Sequence, residues 1–227
     1  MEFGYWGIKG RGEICRWIIG LTGLKITEKN PASKEEWGQL KAQFGSHFAN
    51  LPYLIDGDFK LTESHAIHYY LAEKAGREDL VGKDAQERAR VIQIEGVVTD
   101  IFLGFMKTLG PNTKTELEKS LEAGSSLQTK VAELSKFLGD KEYFLGHLTL
   151  ADLGVVYVSQ FGSSFVKANG LTSPFCQHAN LKALEKRVTS LPGLKEVSDA
   201  RKPVPFMPPG MLPFEMLTVT QMESEQH

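Results

Sequence analysis

Asn50-Leu51-Pro52-Tyr53-Leu54-Ile55-Asp56-Gly57, followed after a short gap by Glu63-Ser64, decides how the rest of the chain is read. The stretch has the form of a loop, a proline at a strand entrance, a short apolar strand, a tight turn, a second strand and a helix start. Proline cannot donate to a sheet ladder, so it belongs at the first position of a strand or in a bend. With Leu51 before it and Tyr53 after it, Pro52 is a candidate for a cis bond. A loop of that kind leaves the backbone of Leu51 open to a ligand. Ser64 then opens a helix whose free N–H groups can hold a carboxylate. Together these features can grip a small peptide by backbone and by charge.

Composition narrows the setting. A chain of 227 residues allows one large or two small domains. Charged residues make up 24% and hydrophobic residues 41%, the balance of an ordinary globular protein. The net charge of −2 makes no case for nucleic acid or an anionic membrane as partner. No apolar run approaches the roughly 20 residues that span a bilayer. Met1 to Lys9 has no charged segment followed by an apolar one, which argues against a secretory leader. Cys15 and Cys176 are far apart and form no CxxC pair, as expected of reduced thiols in a cytosol with no metal cluster.

Outward from the opening stretch, the chain divides in two. Phe3 to Trp6 reads as a buried strand. From Gly12 to Gly23 the period changes, with Ile14, Trp17, Ile18 and Leu21 at helical spacing and Gly23 as a stop. Leu24 to Glu28 reads as a second strand, parallel to the first. Lys34 to Phe44 is a loose helix or an irregular segment. Tyr53–Asp56 and Phe59–Thr62 flank an Asp-Gly-Asp turn and form a hairpin. A helix follows Ser64 and stops near Gly76. The order is βαβ, a connection, then ββα, over residues 1–78.

Beyond a linker, residues 84–201 show no convincing strand. Asp84-Ala85-Gln86-Glu87 has the form of a helix cap, and Val91, Ile94, Val98, Ile101 and Phe105 share one side of the helix it opens. Thr113 to Glu116 has the form of a second cap, leading one helix through to Leu138. Thr149 to Asp152 is a third, opening a helix apolar on most sides and therefore central to a bundle. Two shorter helices follow, at Asn180–Leu191 and Pro192–Ala200. Residues 202–227 carry five of the ten prolines and no helical period. They are expected to wrap the surface as coil, with the last residues loose. The fold class is thus α/β plus all-α.

At this point the residues carry a resemblance. Gly4-Tyr5-Trp6, Ile8-Lys9-Gly10, the run Phe48 to Gly57 and the wide spacing from Trp37 to Asn50 resemble the cytosolic glutathione transferases, most closely the Mu class. Lys9-Gly10-Arg11-Gly12-Glu13 leans toward the Sigma class. The resemblance implies a thioredoxin-like glutathione domain and an all-helical second domain. It implies conjugation of glutathione to hydrophobic electrophiles, as in detoxification, with no cofactor beyond that co-substrate and no metal. It further implies a homodimer in the cytoplasm.

On that resemblance the Tyr5 hydroxyl hydrogen-bonds the glutathione sulfur and favours the thiolate, the form that attacks. Trp6, Trp37, Lys41 and Asn50 face the glycyl arm. Leu51 pairs its backbone with the cysteinyl part, and Pro52 fixes the loop. Ser64 holds the γ-glutamyl carboxylate, while Glu63 and Asp100 of the partner subunit meet its ammonium. Phe48 is the aromatic key inserted into the partner. Ile8, Arg11, the helix around Gly104 to Thr108 and the C-terminal tail bound the electrophile pocket. Three positions depart from Mu enzymes. Glu63 stands where Gln is usual, Arg11 where an aliphatic residue is usual, and Gly110 where many place a second tyrosine that assists epoxide opening. A Sigma-like glutathione-dependent isomerase and a non-catalytic carrier of apolar ligands are the alternative readings. A transferase using Cys15 as nucleophile is a more remote one.

Overall fold

The computed structural model describes residues 1–45, 47–212 and 214–224. The first domain holds β1 (Glu2–Gly4), α1 (Glu13–Thr22), β2 (Thr27–Lys29), α2 (Lys34–Gln43), β3 (Tyr53–Asp56), β4 (Phe59–Thr62) and α3 (Ser64–Lys74). The sheet runs in the order β2-β1-β3-β4. β1 and β2 are parallel, and the other two pairs are antiparallel. This is the thioredoxin-like arrangement that the order of elements implies.

Local chemistry explains each piece. Gly4 pairs with Tyr53 across the sheet, and a Cβ on Gly4 would lie 2.1 Å from the Tyr53 ring. That ring is fixed by its hydroxyl, which donates to Glu2 Oε1 at 2.8 Å. α1 buries Trp17 and Ile18 and ends at Gly23, whose φ of +66° supplies the left-handed stop. α2 is regular, because the Ser33 hydroxyl accepts from Glu36 N–H at its start. The bond between Leu51 and Pro52 is cis. The linker after α3 contains a tight turn at Glu78–Val81 whose Leu80 and Val81 are fully buried. It therefore pins the two domains together.

The second domain is helical: α4 (Ala85–Lys107), α5 (Thr113–Ser120), α6 (Ser126–Leu138), α7 (Leu150–Lys167), α8 (Ala179–Thr189), α9 (Leu194–Ala200) and α10 (Val219–Ser224). Asp84 caps α4 by accepting from Gln86 and Glu87 N–H at 2.8 and 2.9 Å. The single helix expected from Thr113 to Leu138 is two. The Thr113 hydroxyl turns back to the Gly110 carbonyl at 2.7 Å instead of capping. Gly124 breaks the path with a φ of +82°, and Ser125 restarts it by capping α6.

α7 is central, with residues buried on nearly every side. The wholly buried Asp152 carboxylate holds its start. It accepts from Thr149 N–H and hydroxyl, both at 2.8 Å, and from Phe144 N–H at 2.9 Å. The described tail is irregular up to α10, as its composition implies, but it is anchored in the core rather than laid over the surface. Phe206 is fully buried against the rings of Tyr157 and Phe161. Pro205 and Phe206 carbonyls accept from the N–H groups of Lys9 and Gly10 at 2.9 and 3.0 Å. The described end of the tail forms the short helix α10. Prolines remove donors from the tail and leave its carbonyls to accept.

Replacing Asp152 with Ala leaves three buried donors without an acceptor, so the expected loss is about 3 kcal/mol of folding stability or more. Urea denaturation of D152A measures it. A loss near zero would mean that the carboxylate does not hold α7.

Candidate functional site

A cavity of about 600 Å³ opens where the two domains meet. Tyr5, Trp6, Ile8 and Arg11 line it from the loop after β1, and Glu63 and Ser64 from the start of α3. Thr99, Phe102 and Met106 line it from α4, at helical spacing on one face. Tyr157 and Val158 of α7 and Met207, Pro208 and Met211 of the tail complete the apolar wall.

Tyr5 is 7% exposed and directly follows β1. Its hydroxyl oxygen accepts the Arg11 N–H at 3.0 Å. The turn Gly10-Arg11-Gly12 wraps the ring closely. A Cβ on Gly10 would lie 2.5 Å from the Tyr5 hydroxyl, and Gly10 has a φ of +41°. Only glycine permits that approach. Burial raises the Tyr5 phenol above its ordinary pKa, opposed by the Arg11 N–H and the charges of Arg11 and Arg16. The group therefore stays protonated. One lone pair is taken by Arg11, and its proton is left to donate into the cavity.

Below Tyr5 lies a buried charge cluster. The Glu13 carboxylate, wholly buried, meets Lys9 at 3.6 Å, Arg16 at 3.5 Å and Arg201 at 2.7 Å. The Ile8 carbonyl accepts from both Arg16, at 2.8 Å, and Arg201, at 3.0 Å. Arg16 also donates to the Trp6 carbonyl at 3.0 Å and to Glu28 at 2.8 Å. The backbone that carries Trp6, Ile8 and Arg11 is thus held at several points.

At the other end, Glu63 has a φ of +70°, a conformation that non-glycine residues rarely adopt. Such strain costs on the order of 1–3 kcal/mol and clusters at ligand clamps. Glu63 brings Ser64 to the N-terminus of α3, where N–H groups face outward. His65 and His68 stand one turn on, with ring centroids 5.7 Å apart, and both line the cavity. His68 is 3% exposed, and burial pushes its pKa down to about 3. Nearby Glu95, also buried, accepts from the Tyr69 hydroxyl at 2.9 Å. The cavity is therefore polar and anion-receptive at one end and apolar at the other. Among the described residues no group of three His, Cys, Asp or Glu side chains is placed to hold a metal ion. No described helix is long and apolar enough to cross a membrane.

Known proteins are similar to this chain in sequence and in fold. A model of the glutathione S-transferase N-terminal domain matches residues 1–73, and one of the C-terminal domain matches residues 99–201. A class-mu 26 kDa glutathione S-transferase isozyme of Fasciola hepatica is 32% identical over 86% of each chain. Glutathione S-transferase Mu 2 of Mus musculus is 31% identical, over 91% of this chain and 93% of its own. The glutathione S-transferase structure of Ascaris lumbricoides superposes with a TM-score of 0.71 at 27% identity, over 88% of this chain and 96% of its own.

The chain belongs to the glutathione S-transferase family.

Against that family pattern, Tyr5, Trp6, Ile8, Arg11, Glu63 and Ser64 converge on one cavity. Trp37, Lys41, Asn50, Leu51 and Pro52 lie outside its lining. Trp37 is half-buried and stacked on Tyr53, with ring centroids 6.2 Å apart, while Lys41 and Asn50 are exposed. Asp100 is exposed on α4 and pairs with Lys130 at 2.9 Å. Phe48 is 77% exposed, and its carbonyl accepts from the Thr62 hydroxyl at 2.8 Å. Gly104 and Thr108 do not line the cavity. A Cβ on Gly104 would lie 3.0 Å from Leu127 of α6, and the buried Thr108 hydroxyl donates to the Phe105 carbonyl. Cys15 is wholly buried and its thiol is pushed far up by that burial, which removes it as a nucleophile. The sequence reading placed the helix around Met106 and the C-terminal tail at the pocket without naming their methionines, and it missed Thr99, Phe102 and Tyr157. The second apolar stripe of α4 and a tyrosine inside the apolar α7 were the signals available.

His68 gives a pH dependence with a definite sign. Its folded pKa of about 3 lies below its ordinary 6.5. Between those values the unfolded chain binds a proton that the folded chain refuses, so stability falls as pH falls, by up to about 1.4 kcal/mol per pH unit. His68→Leu is expected to flatten the stability profile between pH 6 and pH 4 by roughly one proton, measured by urea midpoints across that range. An unchanged slope would show that His68 titrates freely in the fold.

Proposed function

We propose that this chain conjugates the glutathione thiolate to hydrophobic electrophiles, with Tyr5 as the catalytic residue. The observation that carries this reading is the buried Tyr5 phenol on the cavity wall, its oxygen bound by the Arg11 N–H at 3.0 Å. A free thiol has a pKa of about 8.5 and is mostly protonated at neutral pH. Each unit of depression needs about 1.4 kcal/mol of preference for the anion. A hydrogen bond to a charged group contributes about 1.5–3 kcal/mol, enough for one to two units. The Arg11 N–H polarises the hydroxyl and so strengthens that bond. A carrier of apolar ligands would have no use for this pair.

The strained Glu63 and the helix start at Ser64 support a γ-glutamyl site at the polar end. Ser64 receives the carboxylate and Glu63 the ammonium. The glycyl arm extends toward Trp6, Trp37, Lys41 and Asn50, with Leu51 giving backbone bonds beside Pro52. Apolar walls that include Ile8, Phe102 and Met106 receive the electrophile, with the cationic Arg11 at their edge. The chain works in the cytoplasm, in detoxification, with glutathione as co-substrate. It pairs as a homodimer in which Asp100 of the partner subunit reaches the γ-glutamyl ammonium. The 77% exposure of Phe48, a large apolar side chain in a loop, supports its role as the inserted key. Phe48→Ser is then expected to shift sedimentation from dimer toward monomer. A variant sedimenting like the parent would remove Phe48 from the interface.

Tyr5→Phe is expected to lower glutathione conjugation to chlorodinitrobenzene by about 10- to 100-fold. Glutathione affinity, measured by calorimetry, stays within a few fold. The pH of half-maximal rate rises by about one unit or more as the thiol loses its donor. Conjugation that survives in the variant would refute the role of Tyr5.

A further inference from the structure

A second cavity, of about 250 Å³, shares no lining residue with the first. It lies at the seam where α1 and β2 of the sheet domain meet the end of α9. Ile19, Ile26 and Val197 form its apolar wall, and the exposed Ala200 stands beside them. Three charged side chains complete it: Arg16, Glu28 and Arg201. Its volume falls below the roughly 300–1,000 Å³ of pockets for drug-sized ligands, so its occupant is small.

The three charges are not equally engaged. Every side-chain nitrogen of Arg16 has an acceptor, among them Glu28 and the carbonyls of Ile8 and Trp6. Arg201 donates from Nε to Glu13 at 2.7 Å and from Nη2 to the Ile8 carbonyl at 3.0 Å. Its Nη1 meets no acceptor among the described residues. Glu28 accepts from Arg16 on Oε1 at 2.8 Å, and its Oε2 meets no donor among the described residues. Arg201 and Glu28 thus line one small cavity with opposite charges, yet each pairs with a different partner and not with the other. Arg16 fixes them both, because it holds Glu28 and also the Ile8 carbonyl that Arg201 reaches. Groups set in place in advance lose little on binding a ligand.

We propose that this seam cavity binds a small α-amino acid with a branched apolar side chain. The carboxylate accepts from Arg201 Nη1, and the ammonium donates to Glu28 Oε2. The side chain lies on Ile19, Ile26 and Val197. A simple carboxylate would meet repulsion from Glu28, and a simple amine would meet it from Arg201. A zwitterion satisfies both and fills the gap between them. The site stands apart from the conjugation reaction and does not depend on it.

The test titrates the protein by saturation-transfer NMR, with glutathione present to occupy the Ser64 end of the first cavity. The probes are L-leucine, 4-methylpentanoate, which lacks its ammonium, and 3-methylbutylamine, which lacks its carboxylate. L-leucine is expected to bind about tenfold more tightly than either analogue. Ala200→Trp places a bulky ring in the cavity from an exposed position, and is expected to weaken L-leucine by about tenfold or more. Glu28→Gln is expected to erase the preference for L-leucine over 4-methylpentanoate. No binding of L-leucine, an analogue that binds as well, or an affinity that survives Ala200→Trp would each overturn the proposal. So would a preference for L-leucine retained in E28Q. None of these readouts involves conjugation, so the transferase reading stands or falls separately.

Discussion

One buried carboxylate holds the cavity together. Glu13, at the start of α1, is wholly enclosed and faces Lys9, Arg16 and Arg201. Burying charge is expensive, and a buried ion pair often adds little net stability over apolar packing. The value of this cluster is positional. Arg16 and Arg201 both donate to the Ile8 carbonyl, Arg16 also to that of Trp6, and Lys9 lies over the Phe206 ring. The loop that must present Tyr5, Ile8 and Arg11 would otherwise be a glycine-rich segment with many conformations. Here it is tied to α1 within its own domain and to the end of α9 across the domain boundary. With Glu28 included, three cations face two carboxylates, so the cluster leaves a positive surplus beneath the site where a thiolate would sit. Of these cations, Arg16 opposes the effect of burial on Tyr5.

Much of the frame was legible because its causes are local. The β3–β4 hairpin follows from its Asp-Gly-Asp turn, the stop of α1 from Gly23, and the start of α7 from Thr149 and Asp152. The break between α5 and α6 was also written locally, in Gly124-Ser125. An apolar stripe running through to Leu138 hid it. The tail was a different failure. Its prolines indicate correctly that it cannot form a long helix, yet its carbonyls are taken by Lys9 and Gly10, nearly two hundred residues earlier in the chain. No window on the sequence can see a hydrogen bond across that distance.

The site divides along the same line. Tyr5, Trp6 and Glu63 were named through the family resemblance, and Ser64 also as a helix start; all four line the cavity. Gly104 and Thr108 were misplaced because α4 has two apolar stripes. One, through Ile94, Ile101 and Phe105, packs on the bundle. The other, through Thr99, Phe102 and Met106, faces the cavity. The stripes sit side by side on the helix, so periodicity alone cannot assign them. Only the position of α7 and of the sheet domain decides which stripe is core and which is wall.

The two halves of the cavity also differ in stiffness, and the difference follows from their chemistry. The polar parts of the cavity are made by groups whose conformations are fixed: the Tyr5–Arg11 contact, the positive φ at Glu63 and the first turn of α3. A ligand bound there meets groups already in place and loses little to their ordering. The apolar end includes Met106, Met207 and Met211, the last 61% exposed. Unbranched thioether side chains refill irregular space as its contents change. One constant co-substrate suits the rigid end, and electrophiles of several shapes suit the adaptable one. The rigid end faces the same ligand in every turnover, so preorganisation there benefits every reaction, whereas a wall moulded to one electrophile would exclude the others.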